Sequence, residues 1–197
     1  MESTYKQLTD YLVSLGTEAV EHSNKSYLAH LIGVYRDMQA AGCTEELCRA
    51  GMFHSIYGTE LFRRFSLALE RRAEVRALIG ERAERLAYLN CVMDRATLDE
   101  SVERGSAPHR VVDRVTGEEV LLSADDFDDL CRVHLYDWLE QVSRSRLGWG
   151  YRRSAYRGMA ERLGGPALTA YDRVFTAEPA ASTGAAAKSL SGARNEG

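Results

Sequence analysis

The sequence has few residues that interrupt helices, and it has no segment suited to a membrane. Proline occurs only three times in 197 residues, first at Pro108, so the first hundred residues contain no strong helix breaker. No apolar run approaches the roughly 18 residues that a membrane-spanning helix needs, which excludes a transmembrane protein. The first residues also lack the basic and apolar regions of a secretory signal peptide. We therefore expect a cytoplasmic protein.

The charge balance excludes a further class of partner. Acidic residues outnumber basic ones by 29 to 25, and the formal net charge is −4, whereas a nucleic-acid-binding surface is typically basic. The four cysteines contain no C-x-x-C pair and give no sign of a secreted disulfide framework. The expected partner is a small-molecule substrate, with neither nucleic acid nor a membrane involved. Assembly into a homo-oligomer is left open.

Apolar residues recur at helical spacing through most of the chain, which predicts an all-α fold. The exception surrounds Thr116 and Gly117, where apolar and polar residues alternate and predict a small β-hairpin insert at about residues 109–122. Residues 1–176 are expected to form one helical domain, and residues 177–197, rich in Ala, Ser and Gly, a disordered tail. The predicted helices cover residues 8–15, 27–41, 45–54, 59–68, 71–94, 124–144, 151–163 and 167–175.

Histidines and one acidic residue are the candidates for chemistry. His22 and His30 flank the start of the second predicted helix, and His54 ends the third. His134 lies three residues before Asp137 on the long helix, so these two side chains share one face. Imidazoles and carboxylates brought together from several helices are a known way to build a metal site in a helical domain.

Four short segments contain or lie near these residues: EHSNKSYLAHLIGV (residues 21–34), AGMFHS (50–55), IGERAERL (79–86) and VHLYDWLEQ (133–141). They resemble the HD superfamily of metal-dependent hydrolases, and within it the Rel/Spo-type hydrolase domain. Residues 50–55 are similar to that family's His-Asp motif. Residues 133–141 are similar to the helix that supplies its last metal ligand. The matches keep the family's order and extend over roughly residues 20–142.

The resemblance implies an HD-domain-like helical bundle and a divalent cation, usually Mn, Fe, Zn or Mg. By the match, His30, His54 and Asp137 take three of the ligand positions. The cation would lower the pKa of a bound water and so provide a nucleophile for a phosphorus centre. His134 is a further candidate ligand, because it neighbours Asp137 on the same helix face.

The chain departs from the family at the fourth ligand. Ser55 stands where the family has its aspartate, and the acidic pair that follows in Rel/Spo hydrolases is absent. Glu60 is the nearest carboxylate, and Tyr57 is another polar residue close enough in sequence to face the same cleft. An imidazole from His22 could replace the lost carboxylate as a ligand.

Three hypotheses follow. The first is a variant HD-type metal-dependent hydrolase acting on a small phosphorylated molecule, in which arginines either meet an anion or belong to a solvated helix face. The second is an HD-fold di-iron oxygenase, whose order of ligands resembles His30, His54, His109, His134 and Asp172. The third is a catalytically degenerate binding or regulatory module. The arginines in question are Arg63, Arg64, Arg71 and Arg72.

Overall fold

The structure is a computed structural model that describes residues 4–180, so most of the predicted tail lies outside the described residues. The all-α prediction with a small hairpin is confirmed for this part of the chain. None of its helices is both long and apolar enough to cross a membrane. The helices are α1 (Tyr5–Ser14), α2 (Tyr27–Ala40), α3 (Glu45–Met52), α4 (Arg72–Ile79), α5 (Glu81–Val92), α6 (Arg95–Arg104), α7 (Ala124–Gln141), α8 (Arg153–Leu163) and α9 (Gly165–Thr176).

Two antiparallel hairpins interrupt the helices. Strands β3 (His109–Val112) and β4 (Glu119–Leu122) pair with His109 opposite Leu122, which is the hairpin that the alternating pattern predicts. Strands β1 (Glu21–His22) and β2 (Lys25–Ser26) form a second, shorter hairpin that the sequence analysis does not predict. It turns at Ser23 and Asn24, which both have positive φ angles.

Side-chain caps fix where the main helices begin. At the start of α2, α3 and α7 a Ser or Thr side chain accepts a hydrogen bond from the backbone N–H three residues later, as at Ser123 and Asp126. Such a cap stabilises a helix by about 0.5–2 kcal/mol. The capping residues of these three helices, which carry the candidate site, are Ser26, Thr44 and Ser123.

Two of the helix predictions are wrong. Residues 59–68 are irregular, because their backbone folds back on the preceding segment: Leu67 N–H donates to the Ile56 carbonyl, and the Ser66 hydroxyl donates to the Tyr57 carbonyl. The predicted helix over 71–94 is broken at Gly80, whose φ of 97° and ψ of 157° are not helical. Beyond that break, α5 ends at Val92 and α6, which was not predicted, begins at Arg95.

Helix α7 lies at the centre of the molecule and packs against α2, α3, α5, α8 and α9. All of its side chains from Val133 to Leu139 are buried, and Leu130, Val133 and Leu135 are at 0% exposure. Each such side chain contributes about 1.5–3 kcal/mol by leaving water. This packing brings the polar residues of α2, the end of α3 and the second half of α7 into one buried position.

Candidate metal centre

Three side chains from distant parts of the chain converge where α2, α3 and α7 meet. His30 lies on α2, His54 follows the end of α3, and Asp137 lies on α7. The Asp137 Oδ1 atom lies 3.1 Å from His30 Nε2 and 3.3 Å from His54 Nε2, and the two Nε2 atoms are 3.3 Å apart. All three residues are buried, and among residues 4–180 they form a group whose ligand atoms could hold a metal ion.

The spacing of these three atoms fits a coordinated divalent ion. In a tetrahedral site with bonds of about 2.0–2.1 Å, neighbouring ligand atoms are separated by about 3.3 Å, which is the separation seen here. Two imidazole nitrogens and one carboxylate oxygen also suit ions such as Zn, Fe and Mn. The cluster could therefore bind a metal ion, although its geometry does not distinguish between these metals.

The charge of the cluster favours a cation even before a metal binds. Burial alone would lower the pKa of His30, but hydrogen bonds to Asp137 and Glu140 raise it above its ordinary value. Burial would likewise raise the pKa of Asp137, yet the neighbouring His54 and His30 hold it well below its usual range. The site thus stabilises positive charge beside an ionised Asp137, and a metal ion would compete with a proton for it.

Each histidine is oriented through its other ring nitrogen. His54 Nδ1–H donates to the Gly51 carbonyl at 2.7 Å, and His30 Nδ1–H donates to Glu140. Since both Nδ1 atoms carry the proton in the neutral rings, both Nε2 lone pairs face the centre of the cluster. The Glu140 carboxylate is held in turn by Lys25 and Arg144.

Glu140 is the functional residue that the sequence analysis missed. It lies three residues after Asp137 on α7, so the two carboxylates share one helix face. That spacing was the available signal, because the same rule connects His134 with Asp137.

Two other predicted residues lie beside the cluster. The His22 ring stacks on His30 with centroids 4.1 Å apart, and its buried Nδ1 has no hydrogen-bond partner among the described residues. Burial, together with the nearby His30, lowers the pKa of His22 to about 3, so this ring is neutral. The Ser55 hydroxyl is buried and lies 3.0 Å from the Tyr27 hydroxyl.

The remaining predicted site residues are not brought to the cluster. Tyr57 donates its hydroxyl proton to Glu84 at 3.0 Å. Glu60 is exposed, and its carboxylate lies 4.0 Å from Arg95. His134 is buried, but both of its ring nitrogens are engaged by other side chains.

The second set of ligands that a di-iron site requires is also dispersed. His109 stacks on Phe127 and accepts a hydrogen bond from Arg162 at 3.2 Å. Asp172 lies on α9, where it pairs with the exposed Arg157 at 2.6 Å. The described residues therefore supply ligands for one ion rather than for two.

A cleft of about 260 Å³ opens onto the cluster and is rich in arginine. His54, Ser55 and Asp137 lie on its lining, and Trp138 and Tyr156 form an aromatic wall with ring centroids 5.3 Å apart. A cleft of this size can hold a small molecule. The arginines that line the cleft are Arg63, Arg64, Arg95, Arg144 and Arg146.

Of the four arginines considered as anion-binding residues, two lie on the cleft and two do not. Arg63 and Arg64 line the cleft, and within residues 4–180 Arg63 makes no ion pair. Arg71 and Arg72 lie elsewhere, where Arg71 pairs with Glu74 and Arg72 pairs with Glu84. Arg146 also lines the cleft and was not predicted to meet an anion.

Comparison with protein families gives one match. A model described as a domain of unknown function, DUF6817, matches residues 11–95. The matched segment includes His30, His54 and Ser55 and ends before Asp137. Comparison with curated proteins and with solved structures finds no match to the chain.

Proposed function

We propose that the chain is a variant HD-type metal-dependent hydrolase that acts on a small phosphorylated molecule. The observation that carries the proposal is the triangle of His30 Nε2, His54 Nε2 and Asp137 Oδ1, with sides of 3.1–3.3 Å, at the floor of an arginine-lined cleft. When bound, a divalent ion would supply Lewis acidity, which lowers the pKa of water and stabilises charge on a phosphoryl oxygen.

The chain's own residues supply the rest of the chemistry. Arg63 and Arg146 are exposed on the cleft without an ion-pair partner among the described residues, so their guanidinium groups are available to an anion. Arg95 is half-buried at the same cleft, within 3.3 Å of the Tyr151 hydroxyl. Guanidinium groups bind phosphoryl oxygens through paired hydrogen bonds, and the binding strengthens where water is excluded.

The resemblance to HD enzymes and the replacement at Ser55 agree with this arrangement. A serine hydroxyl is a weaker ligand for a divalent ion than a carboxylate, so the three remaining ligands leave coordination positions for substrate or water. Ser55 itself lies on the cleft beside His54. We assign it contact with the bound molecule rather than with the ion.

The metal site is tested by elemental analysis of protein purified without added metal. His54→Ala and Asp137→Ala should each remove most of the bound metal, and the double variant should lose little more, because the two residues share one partner. His109→Ala and Asp113→Ala are matched controls, since both residues are buried and neither belongs to the cluster. Unchanged metal content in Asp137→Ala would refute the proposed site.

The reaction is tested by phosphate release from a panel of phosphomonoesters with Mn²⁺, Fe²⁺, Zn²⁺ or Mg²⁺ added. Arg63→Ala and Arg146→Ala should raise KM, because they remove charge that meets the substrate, whereas the remote Arg157→Ala should leave KM unchanged. Stoichiometric metal without turnover of any phosphate ester would instead favour the binding or regulatory module.

A further inference from the structure

A row of buried polar side chains connects Arg152 to the backbone of His54. His134, with 0% exposure, lies between two partners: its Nδ1 is 3.0 Å from Asn90 Oδ1, and its Nε2 is 2.8 Å from Arg152 Nη1. The side-chain amide of Asn90 then donates to the His54 carbonyl at 2.9 Å. The row therefore ends on His54, whose ring belongs to the group of candidate metal ligands.

The hydrogen-bond chemistry allows only one arrangement of this row. A guanidinium group can only donate, so His134 Nε2 must accept and its Nδ1 must carry the proton. The Nδ1–H then donates to Asn90 Oδ1, which turns the Asn90 NH₂ group toward the His54 carbonyl. Each partner thus fixes the orientation of the next.

The Arg152 side chain, at one end of the row, is held in place by a carboxylate. Its Nε donates to Asp99 at 2.8 Å, and a second guanidinium nitrogen binds the other oxygen of the same carboxylate. Its backbone has φ 44° and ψ 33°, the left-handed region that residues other than glycine seldom adopt. Burial, with the nearby Arg152 charge, holds the pKa of His134 well below its ordinary value, so the ring is neutral as the row requires.

His54 needs such support because the helix does not supply it. It lies beyond the last residue of α3, and its own N–H reaches the Gly51 carbonyl only at 3.4 Å. The His54 carbonyl instead accepts from Asn90 and, at 3.2 Å, from the Cys91 thiol. Helix α5, which carries both of these donors, therefore fixes the His54 backbone.

We propose that Arg152, His134 and Asn90 are positioning residues that hold His54 in the geometry required for metal binding. This inference rests on the proposed metal site and adds to it a set of residues that touch neither the ion nor the substrate. It also gives a role to His134, which is not close enough to be a ligand. Residues that orient metal ligands typically contribute 10–100-fold to metal affinity.

The chain contains a matched control of the same composition. His109 is also buried and also accepts from an arginine, Arg162, which is anchored to Asp128 at 2.6 Å. His109 stacks on Phe127 and does not belong to the group of candidate metal ligands. Replacing His109 thus removes a comparable histidine–arginine contact without touching the row.

The test compares Mn²⁺ and Zn²⁺ dissociation constants, measured by titration, for His134→Leu and His109→Leu. We expect about a 10–100-fold rise for His134→Leu and less than about twofold for His109→Leu. His134→Gln, whose amide both donates and accepts, should recover part of the affinity. Equal dissociation constants in the two leucine variants would overturn the inference, and Arg152→Lys replaces His134→Leu if the latter fails to fold.

Wild-type protein that binds no metal would refute the proposed function without deciding this inference. Metal-free protein labelled with ¹⁵N-histidine then decides it by NMR. His134 should be protonated at Nδ1 alone, and Arg152→Lys should shift the ring signals of His54 while Arg162→Lys leaves them unchanged. A proton on His134 Nε2, or His54 signals that do not respond to Arg152→Lys, would overturn the inference.

Discussion

Replacing Gly33 with alanine tests whether Glu140 holds His30 in place. Gly33 lies on α2 one turn after His30, and its missing side chain leaves the room that the Glu140 carboxylate occupies. A Cβ atom added to Gly33 would lie 2.7 Å from Glu140 Oε1 and 3.0 Å from its Cγ and Cδ, closer than ordinary contact. The carboxylate would have to shift by several tenths of an ångström.

Two opposing effects determine how much Gly33→Ala changes the free energy of unfolding. Alanine in a helix interior is about 1 kcal/mol more favourable than glycine, so the helix alone would gain stability. The Glu140 side chain, however, is only 6% exposed and is held by His30, Lys25 and Arg144. Each hydrogen bond to a charged group is worth about 1.5–3 kcal/mol, so weakening even one outweighs the helix gain. We expect a net loss of about 0.5–2 kcal/mol, or a fall in Tm of roughly 1–8 °C.

The decisive measurement is the same substitution in a Glu140→Ala background. Without the carboxylate there is nothing for the new methyl group to displace, so Gly33→Ala should then stabilise the protein by up to about 1 kcal/mol. Urea unfolding of the four proteins should give a coupling free energy of about 1.5–3 kcal/mol. If Gly33→Ala is stabilising in both backgrounds, the Glu140 carboxylate can move aside without losing the hydrogen bonds that are expected to stabilise it, and the reasoning is refuted.

Three further predictions concern the same part of the molecule. Ser55→Asp should raise affinity for Mn²⁺ or Fe²⁺, because it adds an anionic oxygen next to His54 on the lining of the cleft; unchanged or weaker binding by calorimetry would contradict the assignment of the cluster. Gly51→Ala should cost about 1–3 kcal/mol, since its Cβ would collide with the buried Met38 sulfur; a rise in Tm would show that this contact can relax. His134→Gln should lose less stability, relative to wild type, at pH 5 than at pH 7. Because the pKa of His134 is lowered in the folded protein, this residue takes up a proton below about pH 6.5 only in the unfolded wild-type chain. That uptake lowers the free energy of unfolding of the wild type by up to about 1.4 kcal/mol per pH unit. If urea unfolding gives the same stability difference between His134→Gln and wild type at both pH values, this protonation difference is refuted.

The helices that carry the site could be predicted because their signals are local. Apolar residues at helical spacing predict helix starts at residues 27, 45 and 124, and the structure begins α2, α3 and α7 at these residues. In residues 59–68 the helical spacing of apolar residues led to a wrong prediction, because this spacing reflects contacts with distant residues. There Phe62 and Phe65 pack on the buried Tyr27, while Leu61 is 53% exposed, so tertiary contacts rather than a helix explain the pattern.

The site itself was predictable only in part. Family resemblance pointed to His30, His54 and Asp137, which the structure brings within 3.3 Å of one another. Spacing could not separate the roles of His134 and Glu140, since each lies three residues from Asp137. Their roles depend on their partners, Arg152 for one and Lys25 with Arg144 for the other, and these partners come from distant segments.

In the proposed site, an uncharged residue at position 55 and the arginines of the cleft would act together on an anionic substrate. A divalent ion held by two neutral imidazoles and the single carboxylate of Asp137 would leave one positive charge at the floor of the cleft, and Arg63 and Arg146 add theirs at its wall. The attraction for an anion grows with each of these charges, and it is strongest where the cleft excludes water. An aspartate at position 55 would cancel the charge at the floor. Ser55→Asp should therefore bind the metal more tightly and an anionic substrate more weakly, two opposite effects that a purely structural serine would not produce.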